Sequence, residues 1–212
     1  MTGVQTCALP IFRDWRIPPA TLAVGVGGIF GYHALLFAAF RFAPAVEVNL
    51  INYLWPLLIV VLSPVYLRGF ELRPGHAVGA LLGLAGAVLV VGGGRLSLGL
   101  SGLPGHLMAA AAAFIWATYS LMTKRVPPFS TGAVGLFCLI SGALSLSLWA
   151  GLELAAHGSV ALPPMTGREA LFLAFLGLGP MGLAFYTWDA ALKRGDPRVI
   201  GSLAYLTPLL ST

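Results

Sequence analysis

Tyr53-Leu54-Trp55-Pro56-Leu57-Leu58 recurs near the end of the chain as Tyr205-Leu206-Thr207-Pro208-Leu209-Leu210. Carried backwards without a gap, the same register pairs Gly25 with Gly177, Gly27 with Gly179, Ala38-Ala39 with Ala190-Ala191, and Arg41 with Lys193. Shared composition alone explains matches among Leu, Ala and Gly. It does not explain a Tyr and a Pro held at a fixed offset, so two consecutive segments form an internal repeat.

Those segments are built for lipid. Of 212 residues, 58% are hydrophobic and only 9% charged, too few polar groups to cover a soluble domain. Seven apolar stretches stand out, at residues 17–40, 46–67, 76–94, 104–123, 131–152, 169–192 and 199–212. The first six are long enough for a bilayer core that needs about 20 apolar residues. No alternation suggests a barrel, and unpaired backbone is not tolerated in hydrocarbon, so the stretches are helices. With Arg13 and Arg16 placed in the cytoplasm, the alternating connectors put Arg68, Arg73, Lys124, Arg125, Lys193, Arg194 and Arg198 on that side. Only Arg41, Arg95 and Arg168 fall opposite. This positive-inside bias accounts for the net charge of +5 without a nucleic-acid partner. The repeated helices lie five spans apart. Five is odd, so the copies cross the membrane in opposite directions, as in secondary transporters.

Pro56 sits in mid-segment, where it removes a helical hydrogen bond and frees the carbonyl of Asn52; Pro208 does the same for the carbonyl of Ala204. Both are expected hinges, with Asn52 and Thr207 satisfying the broken backbone. Tyr53, Trp55 and Tyr205 flank the breaks. Trp116, Tyr119, Ser120 and Thr123 share one helical face, suited to stacking on an amphipathic solute, and Tyr186 with Trp188 offers a second aromatic pair. The expected substrate-binding set is Asn52, Tyr53, Trp55, Trp116, Tyr119, Tyr186 and Tyr205. Asp189 stands one turn before Lys193, the spacing of an ion pair, and Glu47 occupies the first turn of its helix, where the macrodipole favours a carboxylate. His33 is mid-segment without an identifiable partner. Gly79, Gly83 and Ala87 form a small-residue seam for tight packing. His76, His106 and His157 lack metal-ligand spacing, Cys7 and Cys138 lie in unlike contexts, and neither a metal nor a cofactor is expected.

Val46-Glu47-Val48-Asn49-Leu50-Ile51-Asn52-Tyr53-Leu54-Trp55-Pro56 resembles the fourth helix of EamA-type transporters of the drug/metabolite transporter superfamily, aromatic amino-acid exporters most of all. Ala113-Phe114-Ile115-Trp116-Ala117-Thr118-Tyr119 is similar to the sixth helix. Ala184-Phe185-Tyr186-Thr187-Trp188 and Gly201-Ser202-Leu203-Ala204-Tyr205-Leu206-Thr207-Pro208 resemble the eighth and ninth. The resemblance implies an all-α polytopic bundle of ten helices in two inverted five-helix repeats, with a central cavity, in the bacterial inner (plasma) membrane. On that template residues 12–96 are the end of the first repeat, helices three to five. Residues 104–212 are helices six to nine of the second, with helices one, two and ten outside the chain. The opening residues 1–11 read as a translated sequencing artefact and are set apart from the fold.

The function so implied is export of small amphipathic metabolites, aromatic amino acids above all, by alternating access. Its partners are a small-molecule substrate and the lipid bilayer. A carrier of phosphorylated metabolites needs Lys or Arg inside a span, and no span has one away from its ends. A membrane enzyme needs clustered His, Asp and Glu or a nucleophile with a base, which the spans lack. A purely structural subunit gives no reason for two matched broken helices.

Overall fold

The computed structural model describes residues 17–92 and 100–210, and the expectations for residues 1–16, with Arg13 and Arg16, for 93–99, with Arg95, and for 211–212 lie outside them. The described residues form helices without strands: α1 (Pro19–Ala39), α2 (Ala45–Asn52), α3 (Leu54–Tyr66), α4 (Pro74–Gly92), α5 (Leu103–Met122), α6 (Ala133–His157), α7 (Gly167–Leu176), α8 (Gly182–Arg194), α9 (Pro197–Leu203) and α10 (Thr207–Leu210). Six helical spans are long and apolar enough to cross a membrane. They are α1, α2 with α3, α4, α5, α6, and α7 with α8.

Helix α5 is the axis of the bundle. Half of its apolar window is buried, against 28% for α1, and it packs on α1, α2 and α3. Small residues allow this closeness, as expected where lipid supplies no hydrophobic push between helices. Gly105 of α5 meets Ala43 and the backbone of Ala39, Gly28 of α1 meets the ring of Tyr119, and Gly25 of α1 meets Phe137 of α6. A Cβ at Gly25 would stand 2.5 Å from the Phe137 ring, so these glycines set the helix separations. The seam expected along α4 is only partly used: Gly83 lies under the ring of Tyr205 and Ala87 is buried, but Gly79 faces open space.

Two breaks set the geometry of the interior. The chain leaves the helix at Tyr53, between α2 and α3, three residues before the proline that sequence marked as the hinge. Residues Gly177–Met181 form a π-helical turn between α7 and α8, with Pro180 inside it; a continuous helix was expected here. The wider turn absorbs the missing N–H of Pro180, as π-bulges do, and it brings the Gly177 carbonyl over Gly182, where a Cβ would strike it.

Ion pairs close the spans. Asp189 and Lys193 pair at 2.6 Å with the carboxylate side chain 1% exposed, as their spacing predicts. Lys193 also lies 3.9 Å from the ring centre of Phe129. Glu47 meets His106 of α5 at 2.7 Å, a pairing that sequence distance concealed.

Candidate functional site

Helices α1, α3, α5 and α8, the π turn, and the region from Ala204 to Thr207 enclose a cavity of about 340 Å³. Its walls are Tyr32, His33, Trp55, Trp116, Pro180, Met181, Ala184, Phe185, Trp188, Ala204 and Thr207. Trp116 is the hub. Its ring centre lies 5.0 Å from Tyr32, 5.7 Å from Phe185, 6.1 Å from Trp188 and 6.3 Å from Trp55. Trp55 and Trp188 meet edge to face at 5.2 Å, a favoured aromatic geometry.

The polar atoms around this aromatic box are held in place. The Trp188 indole N–H donates to Ser120 Oγ at 3.1 Å, and that hydroxyl donates to the Trp116 carbonyl at 2.8 Å. His33 Nδ1 stands 2.7 Å from the Ile29 carbonyl. A carbonyl only accepts, so Nδ1 carries the proton, and in the neutral imidazole Nε2 keeps its lone pair. Asn52 Nδ2 donates to the Tyr32 hydroxyl at 3.0 Å, leaving that hydroxyl's own proton for another acceptor. Asn52 Oδ1 is buried without a partner among the described residues.

The cavity follows the repeat. Tyr32 and Ala184, His33 and Phe185, and Trp55 and Thr207 are each separated by the same 152 positions as Tyr53 and Tyr205, and all six line it. It therefore lies where two inverted copies face each other.

Of the expected binding residues, Trp55 and Trp116 form its walls. Asn52 stands behind Tyr32 and acts through it. Tyr119 turns away into a cluster with Ile29 and Phe137, and Tyr186 lies against Gly135 of α6. Tyr53 and Tyr205 share a cluster with Val60, Ala80 and Ala87 on the α4 side. The expected partners of the broken backbone also change. Neither Asn52 nor Thr207 bridges the break at Tyr53; the Tyr205 hydroxyl does, accepting from the Leu57 N–H at 3.2 Å and donating to the Tyr53 carbonyl at 2.9 Å. The reason is reach. Asn52 is spent on Tyr32, whereas a phenol extends far enough to cross between helices. Sequence reasoning missed Tyr32, Phe185 and the π turn as wall. One of these was legible, since shifting His33 by the repeat offset lands on Phe185.

The EamA-like transporter family model matches residues 3–92 and again 103–212. The chain belongs to that family. It is 45% identical to a protein of Ancylobacter novellus named aromatic amino acid exporter YddG, over 89% of this chain and 63% of that one. A protein of the same name from Salmonella typhimurium is 28% identical over 99% of the chain and 71% of the relative. A solved crystal structure superposes with a TM-score of 0.82 at 44% identity, covering 93% of this chain and 67% of that one. The chain thus spans about two thirds of the length of these relatives. It is thus a member of a transporter family and a multi-pass protein of the bacterial inner membrane.

Proposed function

We propose that the protein exports aromatic amino acids by alternating access, the two repeats rocking about the breaks at Tyr53 and Tyr205. One observation carries the reading: an aromatic cavity is lined by residues that the two repeats contribute in matching register. Its volume sits at the small end of the range of about 300–1,000 Å³ for small-molecule sites, which suits one amino acid. None of its lining residues is Asp, Glu, Lys or Arg, so a solute with a net charge gains no partner there, whereas a zwitterion with an aromatic ring does. The ring stacks among Trp55, Trp116 and Trp188. The Tyr32 hydroxyl proton is free for a carboxylate, and His33 Nε2 accepts from an ammonium, which the indole faces also attract. No cofactor or metal enters this scheme. The exporter names of the relatives agree with it.

The test is efflux from cells expressing the full-length protein with these residues and loaded with a phenylalanine dipeptide. Trp116→Ala is expected to lower phenylalanine efflux by about tenfold, the weight of an aromatic pair or more, and Pro56→Ala to lower it as well, both without loss of membrane insertion. Unchanged efflux in both variants would remove the site assignment.

A further inference from the structure

In an unbroken helix the Leu57 N–H would bond the Tyr53 carbonyl directly. Here a side chain from the other repeat stands between them. The Tyr205 hydroxyl takes the N–H at 3.2 Å and gives its proton to the carbonyl at 2.9 Å, an insertion of the kind that bends helices. The ring reaches this point by crossing Gly83 of α4, where no Cβ fits, and it is 4% exposed. Nothing about the phenol is adaptable: its length, its burial and the glycine beneath it are matched to the break.

The residue that supplies the accepting carbonyl, Tyr53, is the repeat counterpart of Tyr205 itself. Its own ring is half-buried in the same cluster, beside Val60, Ala80 and Ala87. Its hydroxyl makes no hydrogen bond among the described residues. The second break, a 3₁₀ turn at Ala204–Leu206 followed by α10, holds the same pair of backbone groups in the same register: the Tyr205 carbonyl and the Leu209 N–H.

We propose that Tyr205 and Tyr53 are reciprocal positioning residues. In the conformation described here Tyr205 wedges the first-repeat break, and in the opposite conformation Tyr53 leaves its cluster and wedges the second, between the Tyr205 carbonyl and the Leu209 N–H. Inverted repeats exchange conformations when access alternates, so a contact made by one copy in one state belongs to the other copy in the other state. Each wedge stabilises one bend and is unmade when the other forms. The tyrosines thereby weight the two states against each other without touching the solute. This inference rests on the alternating-access reading above.

The experiment uses the full-length protein in lipid, with spin-label pairs at Arg41→Cys and Arg168→Cys for one end of the bundle, and Arg125→Cys and Arg194→Cys for the other. Tyr205→Phe keeps the ring over Gly83 and removes only the hydroxyl. It is expected to depopulate the conformation described here by about fivefold, the weight of one net hydrogen bond. Tyr53→Phe is expected to populate it further by a similar factor, and the double variant to return towards the parent. Shifts of the same sign in both variants overturn the proposal. So does a fall in melting temperature with unchanged distance distributions, which is what a merely structural tyrosine produces. Phenylalanine efflux measured in parallel separates the two readings: its absence in the parent protein sinks the transport assignment, while the distances report on the wedges without substrate.

Discussion

Helix α1 and the span from α7 to α8 occupy equivalent positions in the repeat, yet they are built differently. Helix α1 is regular from Pro19 to Ala39 and packs on α5 and α6. Its counterpart is interrupted by a π turn and buries none of its apolar window within the described residues. Gly25 is crowded by Phe137, whereas Gly177, its equivalent, has nothing within 4 Å of a Cβ. Phe37 is exposed where its equivalent, Asp189, is buried in an ion pair. Arg41 makes no ion pair among the described residues, whereas Lys193 has a carboxylate, a hydroxyl and a ring. Among the described residues the first copy is thus held mainly by close packing and the second mainly by polar contacts. In membranes this division is physically sensible, since small-residue packing and buried polar pairs are the two available adhesives.

The widest gap should appear at the charged end. Lys193→Ala strands the buried Asp189 carboxylate and is expected to destabilise the protein by about 3–5 kcal/mol, while Arg41→Ala is expected to change stability by no more than about 0.5 kcal/mol. Melting temperatures in one detergent decide this, and equal shifts would erase the proposed division of labour. Next come the glycines. Gly25→Ala should cost about 1–3 kcal/mol through overpacking against Phe137, and Gly177→Ala should be neutral or gain a few tenths of a kcal/mol in helix propensity, on the order of Gly-to-Ala values. A destabilised Gly177→Ala would mean that Gly177 meets a neighbour beyond the described residues.

Ser120→Ala removes the acceptor of the Trp188 indole and is expected to cost about 1 kcal/mol. Phenylalanine efflux should fall with it, because the cavity wall loses its fixed orientation; Ser120→Thr, which keeps a hydroxyl, should preserve both. The smallest effect concerns helix starts. Asp196 caps α9 and chelates Arg198, where its equivalent Pro44 offers α2 no side-chain cap. The hydrogen bonds from Arg198 hold the Asp196 carboxyl below its ordinary value. A depressed carboxylate stabilises the fold above its unfolded pKa of about 3.9 and loses that contribution as pH falls through its own lower value. Acid titration of Asp196→Asn, which keeps a capping oxygen, against the parent should therefore show convergence in stability below about pH 4; a constant difference down to pH 2 would show that the carboxylate charge contributes nothing.

Much of this was written in the chain and some was not. The spans followed from length and hydropathy, and the Asp189–Lys193 pair from helical spacing. The repeat register even contained the cavity walls, through Tyr32 and Ala184 or His33 and Phe185, although the aromatic face around Tyr119 drew attention first. The side that Tyr119 faces was not legible, because a helix in lipid is apolar all round. Hydropathy then carries no moment to say which face turns inward, and an aromatic on the shared face serves packing as readily as binding.

Sequence by itself determined the helical class, the six crossings and the opposed repeats, because each depends on short-range composition or on residues matched at one offset. Only the tertiary structure decided which side of each helix meets the cavity, that the break falls at Tyr53 rather than Pro56, and that a phenol from the far repeat fills it. Those outcomes depend on which neighbour a group meets in space, and a backbone N–H without its helical partner accepts whichever oxygen the packing brings within 3 Å or so.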